Sequence, residues 1–134
     1  MTVTSSCSQG SGNPLVRLSN TRGVIQTYDG SHYINNQDCR WNLSSNAMLQ
    51  LQFARFSTYS SADYLTVYDG DSPSAPLIGR FSGRSLPAPI TSSFNKLYVQ
   101  FKSDGSGTTY GFKAWYRGMM LYITKHLMAE PGLK

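Results

Sequence analysis

The sequence predicts an all-β fold, an antiparallel two-sheet β-sandwich of jelly-roll type with about 8–10 strands. The clearest observation is the alternation in Lys96–Lys102, where Leu97, Val99 and Phe101 share one face and polar residues share the other. Such alternation is typical of an antiparallel strand that is covered on one side only. Composition agrees, because charged residues make up only 14% of the chain and Glu occurs once, which disfavours long amphipathic helices.

Seven strands can be placed in chain order, because runs of apolar, β-branched and aromatic residues are separated by turn residues such as Asp-Gly and Ser-Gly. The predicted strands are Gly23–Thr27, Cys39–Leu43, Met48–Phe56, Tyr64–Tyr68, Leu77–Phe81, Lys96–Lys102 and Phe112–Tyr116. Many short strands at this spacing build either a two-sheet sandwich or a barrel.

The segments on either side of the predicted domain, residues 15–117, differ from it in composition. Residues 1–14 are small, polar and rich in Gly and Ser, so we expect a flexible N-terminal lead-in that only Cys7 fixes. Residues 118–134 form a C-terminal extension without an evident role, and its apolar run 119–128 has a composition compatible with a helix.

The two cysteines, Cys7 and Cys39, are expected to form one disulfide. An even number without a metal-binding spacing, in a chain rich in Tyr, Ser and Gly, indicates an oxidising compartment. Closing so long a loop would stabilise the fold by roughly 3–4 kcal/mol. The alternative is a pair of free buried thiols.

The net charge of +5 favours acidic partners, but the basic residues are scattered, with no run of three. No nucleic acid partner is expected. No segment is apolar over the ~18 residues that a membrane-spanning helix needs, so no direct membrane insertion is expected. Met1 is not followed by a charged and then an apolar region, and we therefore expect no signal peptide in this chain.

Four landmarks follow one another along the chain: Asn36–Trp41, Tyr64–Gly70, Lys96–Asp104 and Gly111–Tyr116. Together they resemble the CUB domain family, extracellular β-sandwich modules that bind other molecules and are not catalysts. The resemblance runs from Cys7 to Arg117 and implies a secreted protein, or the ectodomain of a larger one, with an extracellular protein partner.

The resemblance also implies a calcium site. Many CUB modules bind Ca²⁺ through a Glu that follows a Phe-x-x-Phe strand and through two Asp residues. Asp63 and Asp104 match the Asp positions, but Ser57–Ala62, which follow Phe56, contain no Glu. We therefore expect a weak calcium site at one loop rim. The alternative makes both Asp turn residues that bond to their own backbone.

Further contact residues are suggested near this rim and on one sheet face. The resemblance makes Asp63 and Asp104 partner contacts, and Tyr59 lies near Asp63 in the segment Ser57–Ala62, which is shorter than in other CUB modules. Trp115 falls on the polar side of its strand and is a candidate contact on the outer sheet face. Trp41, two positions after Cys39, is expected in the core instead.

Two covalent features complete the expectations. Asn42 begins an N-glycosylation sequon, Asn42-Leu43-Ser44, and is a candidate acceptor. CUB modules often carry a second disulfide from the loop after Phe-x-x-Phe to a Phe-Cys-Gly; here that loop is short and the second position is Ser82. Both cysteines of this second disulfide are therefore absent.

Catalysis is not expected, because no Asp-His pair is placed to activate a Ser, and no phosphate loop or zinc spacing occurs. The predicted function is an extracellular, non-catalytic recognition module that mediates protein–protein interaction, with weak calcium binding at one rim. The alternative is a single module that binds a glycan or another polyanion, such as a sulfated glycan.

Overall fold

The computed structural model describes residues 2–7, 15–27 and 32–119. These ranges contain ten strands and no helix, which confirms the all-β prediction. In particular, they contain no helix with the length and hydropathy of a membrane span. The strands are β1 (Val3–Ser6), β2 (Leu15–Leu18), β3 (Arg22–Gln26), β4 (Asp38–Ser44), β5 (Met48–Ser57), β6 (Tyr64–Tyr68), β7 (Leu77–Phe81), β8 (Ile90–Thr91), β9 (Lys96–Lys102) and β10 (Gly111–Met119).

The strands form two five-stranded sheets, each named here after its central strand. The β10 sheet has the order β1-β3-β10-β5-β8, and the β9 sheet has the order β2-β4-β9-β6-β7. Neighbouring strands are antiparallel except at one end of each sheet, where β1 runs parallel to β3 and β2 runs parallel to β4. The predicted sandwich is therefore confirmed, but both of its sheets are mixed rather than purely antiparallel.

Apolar side chains from both sheets form one core. Leu97, Val99 and Phe101 are completely buried, as the alternation in β9 predicts. Trp41 is also buried, as expected, and its ring meets Phe112 of the opposite sheet in an edge-to-face arrangement with centroids 5.6 Å apart. Each such side chain contributes about 1.5–3 kcal/mol when fully buried, so apolar packing holds the two sheets together.

A close approach between β3 and β10 explains why a glycine stands in the middle of a strand. Gly23 lies opposite Tyr116 in the register of the two strands. A Cβ atom at this position would lie only 2.5 Å from the Tyr116 hydroxyl oxygen. Glycine therefore leaves the room that the buried tyrosine ring needs.

The first half of the expected lead-in contains a strand. Val3–Ser6 form an edge strand that pairs with residues 23–26 of β3. The Trp41 Nε1–H group also donates a hydrogen bond to Ser5 Oγ at 3.0 Å. Cys7 is therefore not the only residue that fixes this segment, and short polar edge strands such as β1 carry no alternation that a sequence pattern could reveal.

The other boundaries differ in smaller ways. β10 continues to Met119, two residues past the predicted domain end at 117. The remainder of the expected C-terminal extension, from residue 120, and the rest of the lead-in, residues 8–14, lie outside the described residues.

Candidate functional site

Three connecting segments meet at one end of the sandwich, and we call this surface the rim: His32–Gln37, Thr58–Asp63 and Ser103–Tyr110. The strand register brings them together, because Lys102 at the end of β9 lies opposite both Asp38 at the start of β4 and Tyr64 at the start of β6. The topology therefore places Asp63 and Asp104 at the same end, as expected from two antiparallel strands.

Asp63 is the centre of a buried hydrogen-bond network. Its carboxylate has no exposed surface. Oδ1 accepts a hydrogen bond from the backbone N–H of Asp104 at 2.8 Å, and Oδ2 accepts one from the Tyr33 hydroxyl at 2.6 Å. The buried Asp63 side chain therefore positions the rim, and its direct contact with a partner stays a prediction.

Tyr33 completes this network, although no sequence pattern singled it out. The hydroxyl donates to Asp63 and accepts a hydrogen bond from the Tyr59 N–H at 2.8 Å, while the Tyr33 N–H donates to the Thr109 carbonyl at 3.2 Å. Tyr33 thus links all three rim segments, two through its hydroxyl and the third through its backbone. Burial, together with the hydrogen bond to Asp63, raises the pKa of Tyr33, so the phenol keeps its proton and remains a donor.

Asp104 behaves differently from Asp63. Its side chain is only partly buried, and Oδ1 accepts a hydrogen bond from the nearby Ser106 N–H at 3.2 Å. Its carbonyl accepts a hydrogen bond from the Asn36 N–H at 2.8 Å. The alternative interpretation, a carboxylate that bonds to its own turn, therefore applies to Asp104 and not to Asp63.

Aromatic side chains are exposed on the rim. Tyr59 is 59% exposed and Tyr110 is 63% exposed. The Tyr59 ring lies against Gly107, which has a φ of 87° and leaves no space for a side chain, and the His32 ring meets Tyr110 edge to face at 4.9 Å. Tyr59 was predicted; Tyr110 and His32 were missed, because they lie in turns without periodicity.

The rim matches calcium in the type of its donors but not fully in their number. Ca²⁺ takes about 6–8 oxygen ligands in proteins, including carboxylates and carbonyls. Asp63 and Asp104 supply the carboxylates, and each oxygen of Asp63 that accepts one hydrogen bond keeps a second lone pair. No group of three or more His, Cys, Asp and Glu side chains that could hold a metal occurs in residues 2–7, 15–27 and 32–119.

A pair of hydrogen bonds occupies the place where the second disulfide of other CUB modules is expected. The Thr58 N–H donates to the Gly83 carbonyl at 2.8 Å, and the Gly83 N–H donates to Thr58 Oγ1 at 2.7 Å. The shortened loop is therefore tied to the residue after Ser82 without a covalent bond.

The single disulfide is formed between Cys7 and Cys39, with their Cα atoms 5.7 Å apart, so the alternative of two free thiols is wrong. Asn42 lies in β4, where its Nδ2–H group donates to the Asp71 carbonyl at 3.1 Å. N-glycosylation of Asn42 stays a prediction.

Trp115 lies away from the rim, on the solvent side of the β10 sheet, and is 42% exposed. We call this surface the outer face. Its residues are Arg22 and Val24 of β3, Lys113, Trp115 and Arg117 of β10, and Gln50, Gln52 and Arg55 of β5.

Comparison with known proteins identifies the family. The family model of the CUB domain matches residues 12–116. Cubilin of Sus scrofa is 37% identical over 117 residues, which cover 81% of this chain and 3% of cubilin. The exoskeleton protein RP43 of Riftia pachyptila is 36% identical over 110 residues, which cover 78% of this chain and 25% of RP43. The chain thus spans a small part of the length of these relatives.

Solved structures show the same fold. The CUB1-EGF-CUB2 domains of rat MASP-1 match with a TM-score of 0.69 and 25% identity, covering 79% of this chain and 43% of that one. The MASP-1 CUB2 domain bound to Ca²⁺ matches with a TM-score of 0.68 and 25% identity, covering 81% of this chain and all of that one.

The matched residues include β2 to β9 completely, β10 as far as Tyr116, and all three segments of the rim. CUB domains are generally non-catalytic. The chain therefore belongs to the CUB domain family, whose members are typically extracellular protein-interaction modules.

Proposed function

We propose that this chain is a non-catalytic recognition module of a secreted protein or ectodomain, and that it binds an extracellular protein through the rim. The observation that carries the proposal is the exposure of Tyr59 and Tyr110 on the same rim as the half-buried Asp104. Tyrosine is enriched among the residues that dominate binding energy at protein interfaces.

The rim has the rigidity that such a contact requires. Tyr59 is held through its backbone by Tyr33, and Tyr33 is held by the buried carboxylate of Asp63. A preorganised surface loses less side-chain and loop entropy on binding than a mobile one. The carboxylate of Asp104 would then select a partner with a Lys or Arg side chain at the contact.

The rim is proposed to bind Ca²⁺ weakly, with Asp63 and Asp104 as the carboxylate ligands. The absence of a Glu in Ser57–Ala62 leaves less negative charge than the fuller sites of the family have. The calcium dissociation constants of extracellular modules depend on the charge of the ligands and lie at about 10⁻⁴–10⁻³ M. A bound ion would tie Asp104 more firmly to Asp63 and so fix the carboxylate for the partner.

The rim can be tested by screening the module against an array of recombinant secreted proteins and ectodomains. We expect a partner whose affinity falls at least about tenfold when Tyr59→Ala or Tyr110→Ala removes an exposed ring. Phe94→Ala is the matched control, because Phe94 is 79% exposed and lies before β9, at the opposite end of the sandwich. A partner that is lost with Phe94→Ala but not with the rim variants would refute the proposal.

Calcium can be tested separately by calorimetry and by thermal unfolding. At about 5 mM CaCl₂ and a dissociation constant near 1 mM, the free energy of unfolding should rise by about 1 kcal/mol. Asp104→Asn should remove this gain, whereas Asp71→Asn, in the turn after β6, should keep it. Absence of both binding heat and a shift in melting temperature would exclude calcium while leaving the protein contact intact.

A sulfated glycan is the second candidate ligand, and a different surface favours it. Four basic side chains lie on the outer face, Arg22, Arg117, Lys113 and Arg55, in a protein with a net charge of +5.

A further inference from the structure

The outer face has basic side chains directly opposite one another on neighbouring strands. Arg117 of β10 pairs with Arg22 of β3, and Lys113 of β10 pairs with Arg55 of β5. Like charges at such positions destabilise a sheet. Two like-charged pairs in one sheet therefore weaken the free protein and would be relieved by a bound anion.

No carboxylate in the described part of the chain neutralises these cations. Its five Asp residues lie in β4, in the rim and in the turn after β6, and none lies on the β10 sheet. Among the same residues, the Nε atom of Arg55 is buried and has no hydrogen-bond partner. The outer face thus carries positive charge that no acidic side chain of the described residues balances.

Two glutamines of β5 accept hydrogen bonds from exposed side chains of β10. The Trp115 Nε1–H group donates to Gln52 Oε1 at 3.2 Å, and the Arg117 Nε–H group donates to Gln50 Oε1 at 3.3 Å. The remaining N–H groups of Arg117 and of both amides are donors for a ligand. The indole ring is fixed with part of its surface exposed.

A groove of about 410 Å³ lies at the Arg22–Arg117 end of this face. Thr21, Arg22, Val24, Trp115 and Arg117 contribute to its walls. Lys113 lies four residues from Arg117 along β10, which corresponds to about 13 Å. The cations thus form two groups with an aromatic ring between them.

We infer that the outer face binds an acidic oligosaccharide that carries sulfate groups. Sulfates lie on the fork-shaped donors of Arg22 and Arg117 in the groove, a sugar ring packs on Trp115, and a further sulfate meets Lys113 and Arg55. The inference rests on the second candidate function, binding of a sulfated glycan, and assigns it a site.

An oligosaccharide fits this surface better than an acidic peptide does. The groove lies along β3 and β10, and each of these strands has a hydrogen-bonded strand on both sides, so the groove offers no free strand edge to which a peptide could add. The ligand must therefore be bound by side chains alone, and the side chains present are guanidinium groups, amides and an indole ring. This combination suits sulfates, hydroxyls and the apolar side of a sugar ring.

The test uses a heparin oligosaccharide of defined length as the probe, with affinity measured over a range of salt concentrations. We expect Arg22→Gln with Arg117→Gln to weaken binding by at least about tenfold and to reduce the slope of log K against log salt by about two, as for other polyanions. Trp115→Ala should weaken binding with little change in this slope. The matched control is Arg17→Gln with Arg84→Gln, which removes two exposed arginines elsewhere.

The outcomes separate the site from the function. If the protein binds heparin and the control variant loses as much affinity as the outer-face variant, the site is wrong and the glycan function stands. If the unchanged protein does not bind heparin at physiological salt, both fail. If Trp115→Ala binds heparin as tightly as the unchanged protein, the sugar contact is wrong and the face binds simple anions. Arg22→Gln should not lower the melting temperature, because it removes a like-charged pair.

Discussion

Replacement of both cysteines by alanine, Cys7→Ala with Cys39→Ala, is expected to lower the free energy of unfolding by about 3–4 kcal/mol. The disulfide joins residues 32 positions apart, and both cysteines are buried. Without it, the unfolded chain regains the freedom of a long loop. Alanine is preferred to serine, because a buried hydroxyl without a partner would add a cost of its own.

The loss of stability in the double alanine variant should be greatest locally in β1. This strand has four residues, lies at the edge of the β10 sheet and is followed directly by Cys7, whose N–H donates to the Gln26 carbonyl at 3.0 Å. Amide hydrogen exchange should therefore accelerate first in Val3–Ser6, whereas β9 and β10 keep their protection until the whole domain unfolds.

Ser5→Ala is the control for this prediction. It removes the hydrogen bond from Trp41 Nε1 but leaves the disulfide in place. We expect it to cost about 1 kcal/mol. A loss below about 1 kcal/mol in the double alanine variant, measured by urea unfolding, would mean that β1 and the core hold the fold without the covalent link.

The central strands could be predicted from the sequence because their side chains repeat with period two. β9 and β10 each turn one face to the core, and the alternation of apolar residues on that face is complete, although Tyr98 on the other face of β9 is buried as well. β1, β2 and β8 escaped prediction for a physical reason. They are short edge strands of two to four residues. β1 is held by its pairing with β3, by the disulfide at Cys7 and by the hydrogen bond from Trp41 to Ser5, none of which its own composition reveals.

The rim could be predicted only in part. Antiparallel topology is enough to place Asp63 near Asp104, since each stands at the end of a predicted strand. Tyr33 belongs to no strand, and its role exists only after three distant segments have met. The difference between a buried Asp63 and a half-buried Asp104 likewise depends on packing, which residue type and spacing do not encode.

Asp63→Ala is expected to lower the free energy of unfolding by about 3 kcal/mol, more than any other single change at the rim. It leaves the Tyr33 hydroxyl and the Asp104 N–H without their acceptor, and each unsatisfied buried donor costs about 1–3 kcal/mol. Asp104→Ala is the matched control. It removes only the bond from the exposed Ser106 N–H and should cost less than about 1 kcal/mol.

The pairing of Asp63 with Tyr33 can be measured by a double-mutant cycle with Tyr33→Phe. Groups that share one network have interaction energies of about 0.5–3 kcal/mol, so the loss in the double variant should be smaller than the sum of the two single losses. Additive losses would mean that the carboxylate and the phenol stabilise the rim independently, in contradiction to the 2.6 Å hydrogen bond between them.

The pH dependence of stability supplies a readout that packing alone would not change. The folded-state pKa of Tyr33 is raised above the unfolded value of about 10, chiefly by burial and then by the hydrogen bond to Asp63. Its contribution is therefore complete below about pH 10 and is lost as the pH rises further, because the unfolded chain releases a proton that the folded chain keeps.

Burial raises the pKa of Tyr116 as well. Both tyrosines therefore lower the free energy of unfolding as the pH rises above about 10, each by up to about 1.4 kcal/mol per pH unit. Tyr33→Phe should remove one of these two parts and make the alkaline limb shallower. An unchanged limb would show that the Tyr33 phenol ionises as readily in the folded protein as in the unfolded chain. The rim would then open at the Tyr33–Asp63 bond before the sandwich unfolds, and Tyr59 would lose the support on which its role in binding depends.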